Sequence, residues 1–210
     1  MAPAAAVPPA PAGGTAPWAG RVDGPLDCEV LVIGGGSTGA GVARDAAMRG
    51  LSTVLVERGD LATGTTGRFH GLLHSGGRYV VKDPMAGREC YAENVVLRRI
   101  AADCIEDTGG LFVTTPIDDP GYAEKFLQGC AATGIPVEEI SVAEALRREP
   151  RLNPRISRAL TVPDAAIDTW KTVWTCARSA AGYGARILPY HAAVASNGCP
   201  STGEPSNRTN

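Results

Sequence analysis

The sequence predicts an α/β fold, and three observations carry that expectation. Strand-like β-branched runs alternate with helical periods along the chain. An unbroken apolar run, Val30 to Ile33, leads straight into Gly34-Gly35-Gly36-Ser37-Thr38-Gly39. A second β-branched run then closes on an acidic residue, Glu57, 23 positions after Gly34.

Taken in order, Val30 to Ile33 reads as a buried parallel strand because its apolar run is continuous. A helix follows from about Gly36 to Arg49, with Gly50 placed to end it. Val54 to Val56 is the next strand. Beyond a glycine-rich stretch ending at Tyr79, a helix from about Met85 to Cys104 shows Val96, Leu97, Ile100 and Cys104 on one face. A strand at Leu111 to Thr114 precedes a helix at Tyr122 to Thr133, which Gly134 stops. Ser141 and Glu144 form a capping box for a short helix ending before Pro150. Ala159 to Val162 is a strand, Asp168 or Thr169 caps a helix to about Ala181, and Arg186 to Leu188 is one more strand. No internal repeat interrupts this order.

Composition narrows the function. The chain has 210 residues, 44% of them hydrophobic, 20% charged, and a formal net charge of −2. Its basic residues are scattered, which gives no electrostatic case for nucleic acid. No apolar run reaches the ~18 residues of a spanning helix. The six cysteines show neither CxxC spacing nor a metal-ligand rhythm with the histidines, so the expectation is reduced thiols acting as small hydrophobes in a cytoplasmic setting. Residues 1–26 are rich in Pro, Ala and Gly and read as a disordered extension, with prolines where a signal peptide needs an unbroken apolar core. Residues 195–210 contain no large apolar side chain and read as a disordered tail.

The glycine motif matches GxGxxG. Glycine accounts for 26 of the 210 residues, so the match alone is weak and its context decides. Here a strand precedes it, a helix follows, and an acidic residue ends the second strand, as a dinucleotide site requires. Gly34 allows the tight turn, Gly36 lets backbone approach a pyrophosphate, and Gly39 permits close helix–strand packing. The exposed N–H groups and the positive dipole of the helix N-terminus suit phosphate. Glu57 is suited to the adenosine ribose and repels a 2′-phosphate, with Arg58 beside it. NAD and FAD share the ADP moiety, so the fingerprint does not separate them.

The following segment, DLATGTTGRFHGLLHSGGRY (60–79), separates the two. Placed after VIGGGSTGAGVARDAAMRGLSTVLVER, it resembles FAD-dependent glycerol-3-phosphate dehydrogenase. The likeness is to the catalytic large subunit of the anaerobic, quinone-linked type. It continues through RECYAENVVLRRIA, GLFVTTPIDD and the NPRI…VPDAAIDTW region, covering roughly residues 28–194. The resemblance implies a Rossmann-like FAD-binding domain of the glutathione-reductase type carrying an inserted α+β substrate domain. It also implies oxidation of sn-glycerol 3-phosphate to dihydroxyacetone phosphate, with electrons leaving to quinone through membrane-associated partner subunits. Such a chain would be cytoplasmic, at most peripheral on the inner face of the membrane.

Carried over residue by residue, Thr65, Thr66 and Gly67 match the segment along the FAD pyrophosphate and ribityl chain. His74 falls beside the isoalloxazine, and Arg78 and Tyr79 match the active-site Arg-Tyr pair. A guanidinium offers a bidentate fork for phosphate, and a phenol can hydrogen-bond the substrate oxygen as it becomes a ketone. For His74 a structural hydrogen bond to backbone stands beside a proton-transfer role, and His70 has no assignment. The expected division is FAD-binding at 27–80, an inserted substrate portion at 81–168, and a return to the first domain at 169–194. Because the family needs far more chain, the expectation is a truncated, inactive form. Two alternatives stay open: another flavoprotein of the amine or amino-acid oxidase kind, and a non-catalytic nucleotide-binding fragment.

Overall fold

The structure, a computed structural model, describes residue 22 and residues 24–194. The expected extension up to residue 21 and the tail from 195 lie outside the described residues. Two compact units form: described residues up to Thr66 join those from Cys176 onward, and Gly67–Thr175 makes the other. Residues 67–80 and 169–175 therefore lie with the second unit.

In the first unit, β1 (Val30–Ile33), α1 (Ser37–Met48) and β2 (Thr53–Glu57) form the βαβ unit, and β9 (Arg186–Pro189) returns to it. The sheet order is β1-β2-β9, parallel throughout. Its register aligns Val32, Leu55 and Ile187, which are all buried. Ala40, Ala43, Ala46 and Ala47 form the buried stripe of α1, and their small size lets the helix lie close on β1 and β2. Gly39 closes the same interface: a Cβ there would stand 1.9 Å from the Gly34 carbonyl oxygen. One expectation fails in this unit. Instead of being buried on both faces, β1 is an edge strand whose Leu31 and Ile33 are 54% and 62% exposed. Among the described residues no element covers that face.

The second unit holds two antiparallel sheets. One has β3 (Leu72–Leu73), β8 (Ala165–Ile167) and β4 (Ile105–Glu106) in the order β3-β8-β4; the other has β5 (Gly110–Thr114), β7 (Arg158–Val162) and β6 (Glu138–Ile140) in the order β5-β7-β6. Helix α3 (Tyr122–Thr133) lays Ala123, Phe126 and Cys130 into a core with Val80, Leu160 and Val162. The Phe112 and Phe126 rings meet there at 4.5 Å. Burial pushes the Cys130 thiol up to about 11, and Cys28, Cys90, Cys104 and Cys130 form no disulfide. Helix α4 (Val142–Arg148) is capped by Ser141, which accepts the Glu144 amide. The Glu144 carboxylate turns to Arg147 and Arg148 rather than back to the cap.

Helix α2 (Pro84–Ile100) corrects a second expectation. It ends at Ile100, before a separate turn at Ala102–Cys104. Val96 and Ile100 are exposed, and the buried positions of α2 are Gly87 and Asn94. The apolar stripe misled because the positions this helix buries fully are a glycine and a polar side chain, with Tyr91 packed partly buried against the core. Helix α5 (Thr169–Gly182) starts after Asp168, whose carboxylate accepts the Lys171 amide.

The α1 interface generates a test. Gly39→Ala is expected to cost about 3 kcal/mol or more, since its methyl has no room against backbone. Gly41→Ala on the same helix, where nothing lies within 4 Å of the new methyl, is expected to be neutral or to gain up to about 1 kcal/mol. Urea midpoints of the two variants check this, and equal midpoints would contradict the packing argument.

Candidate functional site

The first unit carries the glycine turn. Gly34 has φ +112°, a conformation that side chains rarely adopt, and its amide donates to the Val56 carbonyl at 2.8 Å. Gly35 is buried, and a Cβ there would meet Leu61 and Glu57 at 2.6 and 2.9 Å. A helix begins with amides that have no partner inside it. In α1 one of these, the Ser37 N–H, donates to Thr66 Oγ1 at 3.0 Å. Gly36 caps the helix with no side chain, and no acidic residue stands in the first turn. Ser37 and Thr38 are exposed. The turn thus presents a positive helix end, with the Thr66 hydroxyl lying over Gly36 and Ser37, to a cleft of about 450 Å³ lined by the glycine turn, the edge of β1 and Thr66.

Glu57 is tied down by backbone. Its Oε2 accepts the Gly35 amide and its Oε1 the Gly59 amide, both at 2.8 Å. These two bonds, Gly35 first, hold its carboxyl below the ordinary carboxylate value. Each oxygen keeps a second lone pair, so ribose hydroxyls can still be accepted. Arg58 beside it is exposed. Thr65 is exposed at the start of a short turn, Thr65–Arg68, while Thr66 is half-buried. These features fit an ADP-bearing cofactor such as FAD: a Cβ-free approach, donors at the helix end and a carboxylate acceptor.

The second unit contains Gly67, His74, Arg78 and Tyr79. Gly77–Tyr79 is one tight turn. It is set by Gly76, at φ +89°, where a Cβ would stand 2.3 Å from the Gly87 carbonyl of α2. Arg78 and Tyr79 are both exposed, with the guanidinium 5.5 Å from the Tyr79 ring centroid. Among the described residues no carboxylate pairs with Arg78, so its charge is available to an anion.

His74 lies in a polar cluster that sequence reasoning missed. β3 and β8 pair Leu73 with Ala165, and one further antiparallel step sets Asp164 opposite His74. His74 Nδ1 lies 3.3 Å from Asp164 Oδ2, and the Ser75 amide donates to Asp164 Oδ1 at 2.6 Å. Asn94, buried on α2, donates to the His74 carbonyl at 3.1 Å and accepts from Arg98 Nε at 2.7 Å. Arg98 in turn donates to the Pro163 carbonyl at 3.0 Å and pairs with Asp107. His74 Nε2 and Ser75 Oγ are buried without a partner. The His70 ring stands edge-on to His74 at 5.1 Å. The sequence signal for Asp164 was its place in VPDAAIDTW, but nothing local marked it as a partner for His74.

Comparison with known proteins adds the family. The family model described as FAD dependent oxidoreductase matches residues 29–204. The chain is 58% identical over 158 residues to one of the anaerobic glycerol-3-phosphate dehydrogenase subunits of Haloferax volcanii, covering 75% of this chain and 27% of the relative. It is 48% identical over 163 residues to the corresponding subunit of the Escherichia coli anaerobic glycerol-3-phosphate dehydrogenase, covering 78% and 30%. The chain therefore spans less than a third of the length of these curated relatives. Among solved structures, L-α-glycerophosphate oxidase from Mycoplasma pneumoniae with FAD bound superposes with TM-score 0.65 at 23% identity, over 78% of this chain and 44% of that one. That likeness concerns the fold.

The tie of Glu57 to two amides predicts a pH signature. Its carboxyl is lowered on folding, so the stability contributed by its charge is complete above the ordinary value and is lost as pH falls through the lowered one. Glu57→Gln turns one acceptor into a donor facing an amide, and is expected to cost about 1–3 kcal/mol at neutral pH. The gap to the unsubstituted chain should narrow on acidification below the ordinary carboxylate range. Urea titrations at both acidities check it, and a gap that widens in acid would contradict it.

Proposed function

The chain belongs to the FAD-dependent oxidoreductase family, and on that footing we propose that it serves the oxidation of sn-glycerol 3-phosphate to dihydroxyacetone phosphate. The first unit holds the ADP half of FAD: the glycine turn and the end of α1 take the pyrophosphate, Glu57 takes the ribose, and Arg58 flanks it. Thr65, Thr66 and Gly67 run along the pyrophosphate and ribityl chain. The second unit supplies the side chains that meet substrate.

The observation that carries the reading is Arg78. An exposed guanidinium with no carboxylate partner among the described residues is an anchor for a phosphate dianion, which it can grip with two parallel N–H bonds. Tyr79, next in the same turn, can donate its phenolic hydrogen to the substrate oxygen as that oxygen gains carbonyl character. His74 offers Nε2, buried and unpartnered, to receive the hydroxyl proton. FAD, when bound, accepts the hydrogen and two electrons that leave the carbinol carbon. The names of the relatives, each one component of an anaerobic glycerol-3-phosphate dehydrogenase, support this substrate. They also support an assembly in which further subunits carry electrons to quinone. In such an assembly the chain is a cytoplasmic component held at the inner face of the membrane by its partners. Among the described residues no helix is long and apolar enough to cross a membrane.

The test is a graft. The matching 158-residue stretch of this chain replaces its counterpart in the Haloferax volcanii protein, and glycerol 3-phosphate-dependent reduction of an electron-accepting dye is followed. Turnover is expected to survive. Arg78→Lys in the graft should raise KM for glycerol 3-phosphate about tenfold, because a point charge replaces a fork, with a smaller change in kcat. An unchanged KM would remove Arg78 from phosphate binding, and loss of all turnover by the unaltered graft would overturn the reading.

A further inference from the structure

We propose that Asp164 is a positioning residue that holds His74 in the tautomer with hydrogen on Nδ1, leaving Nε2 as the proton acceptor. The proposal rests on the reading of His74 given above.

The geometry argues it in three steps. First, the β3–β8 register sets the two residues face to face, across 90 positions of sequence. Second, Asp164 cannot turn away. Its Oδ1 is held at 2.6 Å by the Ser75 amide, so Oδ2 is the atom left for the imidazole. Gly110 backs it closely, since a Cβ there would stand 2.8 Å from the Asp164 Cβ. Third, the segments carrying both residues, just beyond the ends of β3 and β8, are clamped from one side. Asn94 binds the His74 carbonyl, and Arg98 binds both Asn94 and the carbonyl of Pro163, the residue before Asp164.

A carboxylate can only accept. Neutral His74 therefore places its single ring hydrogen on Nδ1, toward Asp164, and the lone pair on Nε2. In that state Nε2 can take the proton that an alcohol loses as its C–H hydrogen departs with the electron pair to bound flavin. The alcohol becomes a ketone, the flavin is the species reduced, and imidazolium forms against the carboxylate that stabilises it. The opposite tautomer would present an N–H to the alcohol and could accept nothing.

The chain contains three histidines, which makes the ring nitrogens directly readable by 15N NMR of the full chain. The other two serve as internal references. His70 Nδ1 accepts the Leu72 amide, so His70 carries its hydrogen on Nε2. His191 Nδ1 faces the Pro189 carbonyl at 2.8 Å, so His191 carries its hydrogen on Nδ1. His74 is expected to match His191; a match to His70 overturns the proposal.

Asp164→Asn keeps the shape and an oxygen for the Ser75 amide, but it turns a carboxamide NH2 toward Nδ1. It should move the hydrogen of His74 to Nε2; an unmoved hydrogen overturns the proposal. If this variant does not fold, the tautomer in the unsubstituted chain, assigned with His70→Gln and His191→Gln, decides alone. In the active graft, Asp164→Asn should lower kcat about a hundredfold or more while KM, set by Arg78, holds. An unchanged kcat would exclude a positioning role in catalysis. An unaltered graft without turnover strikes the substrate reading instead, and the tautomer then decides the role of Asp164.

Discussion

Backbone amides gathered on a carboxylate are the constraint on which the rest of the first unit depends. Glu57 ends β2 with one oxygen on Gly35 and the other on Gly59. The glycine turn and the segment leaving β2 are thereby fixed to the same side chain. Gly35 is pinned at the point where a side chain would collide with Leu61, and α1 starts two residues later, at Ser37. Thr66 then ties the far end of that segment to Ser37. A helix end prepared in this way attracts anions with almost no reorganisation, because the partial charges are part of the backbone.

The second unit repeats the device with another carboxylate. Asp164 takes the Ser75 amide and faces His74, and a buried asparagine and an arginine brace the chain on either side of that contact. Buried polar groups are costly unless satisfied. In this cluster nearly every group is bonded, and the groups left over are His74 Nε2 and Ser75 Oγ. These two are the unpaired buried atoms of the cluster among the described residues, and the proposed role of His74 rests on the first of them.

The sequence showed some of this plainly and concealed the rest. The βαβ unit was legible because strand, turn, helix and acidic terminus lie within thirty residues, and each imposes its own residue type. Helix α3 and its stop at Gly134 were legible for the same local reason. The strands β3, β4, β6 and β8 were not, since two- and three-residue strands carry no period. With β3 and β8 went the His74–Asp164 contact, which exists only through pairing of distant segments. The face of α2 was misjudged because apolar periodicity outvoted Gly87 and Asn94, the residues it buries. The burial of β1 was overestimated because a run of four apolar residues does not reveal whether both faces are covered. Arg78 and Tyr79 were named from resemblance, and the structure adds what composition could not: the glycine contact with α2 that fixes their turn.

The first unit is assembled from two stretches of chain, while the second is continuous, and this orders events in time. β2 meets β9 through pairs such as Val54 with Arg186, so that edge of the sheet stays open until the last described strand has left the ribosome. Residues 67–175 can close their own contacts well before then. Distant pairings are slow to form because the ends of a long loop must find each other. During synthesis the βαβ unit therefore waits, half-sheeted, for a strand made more than a hundred residues later. A nascent chain of this design has its greatest need of chaperone protection at its beginning rather than at its end.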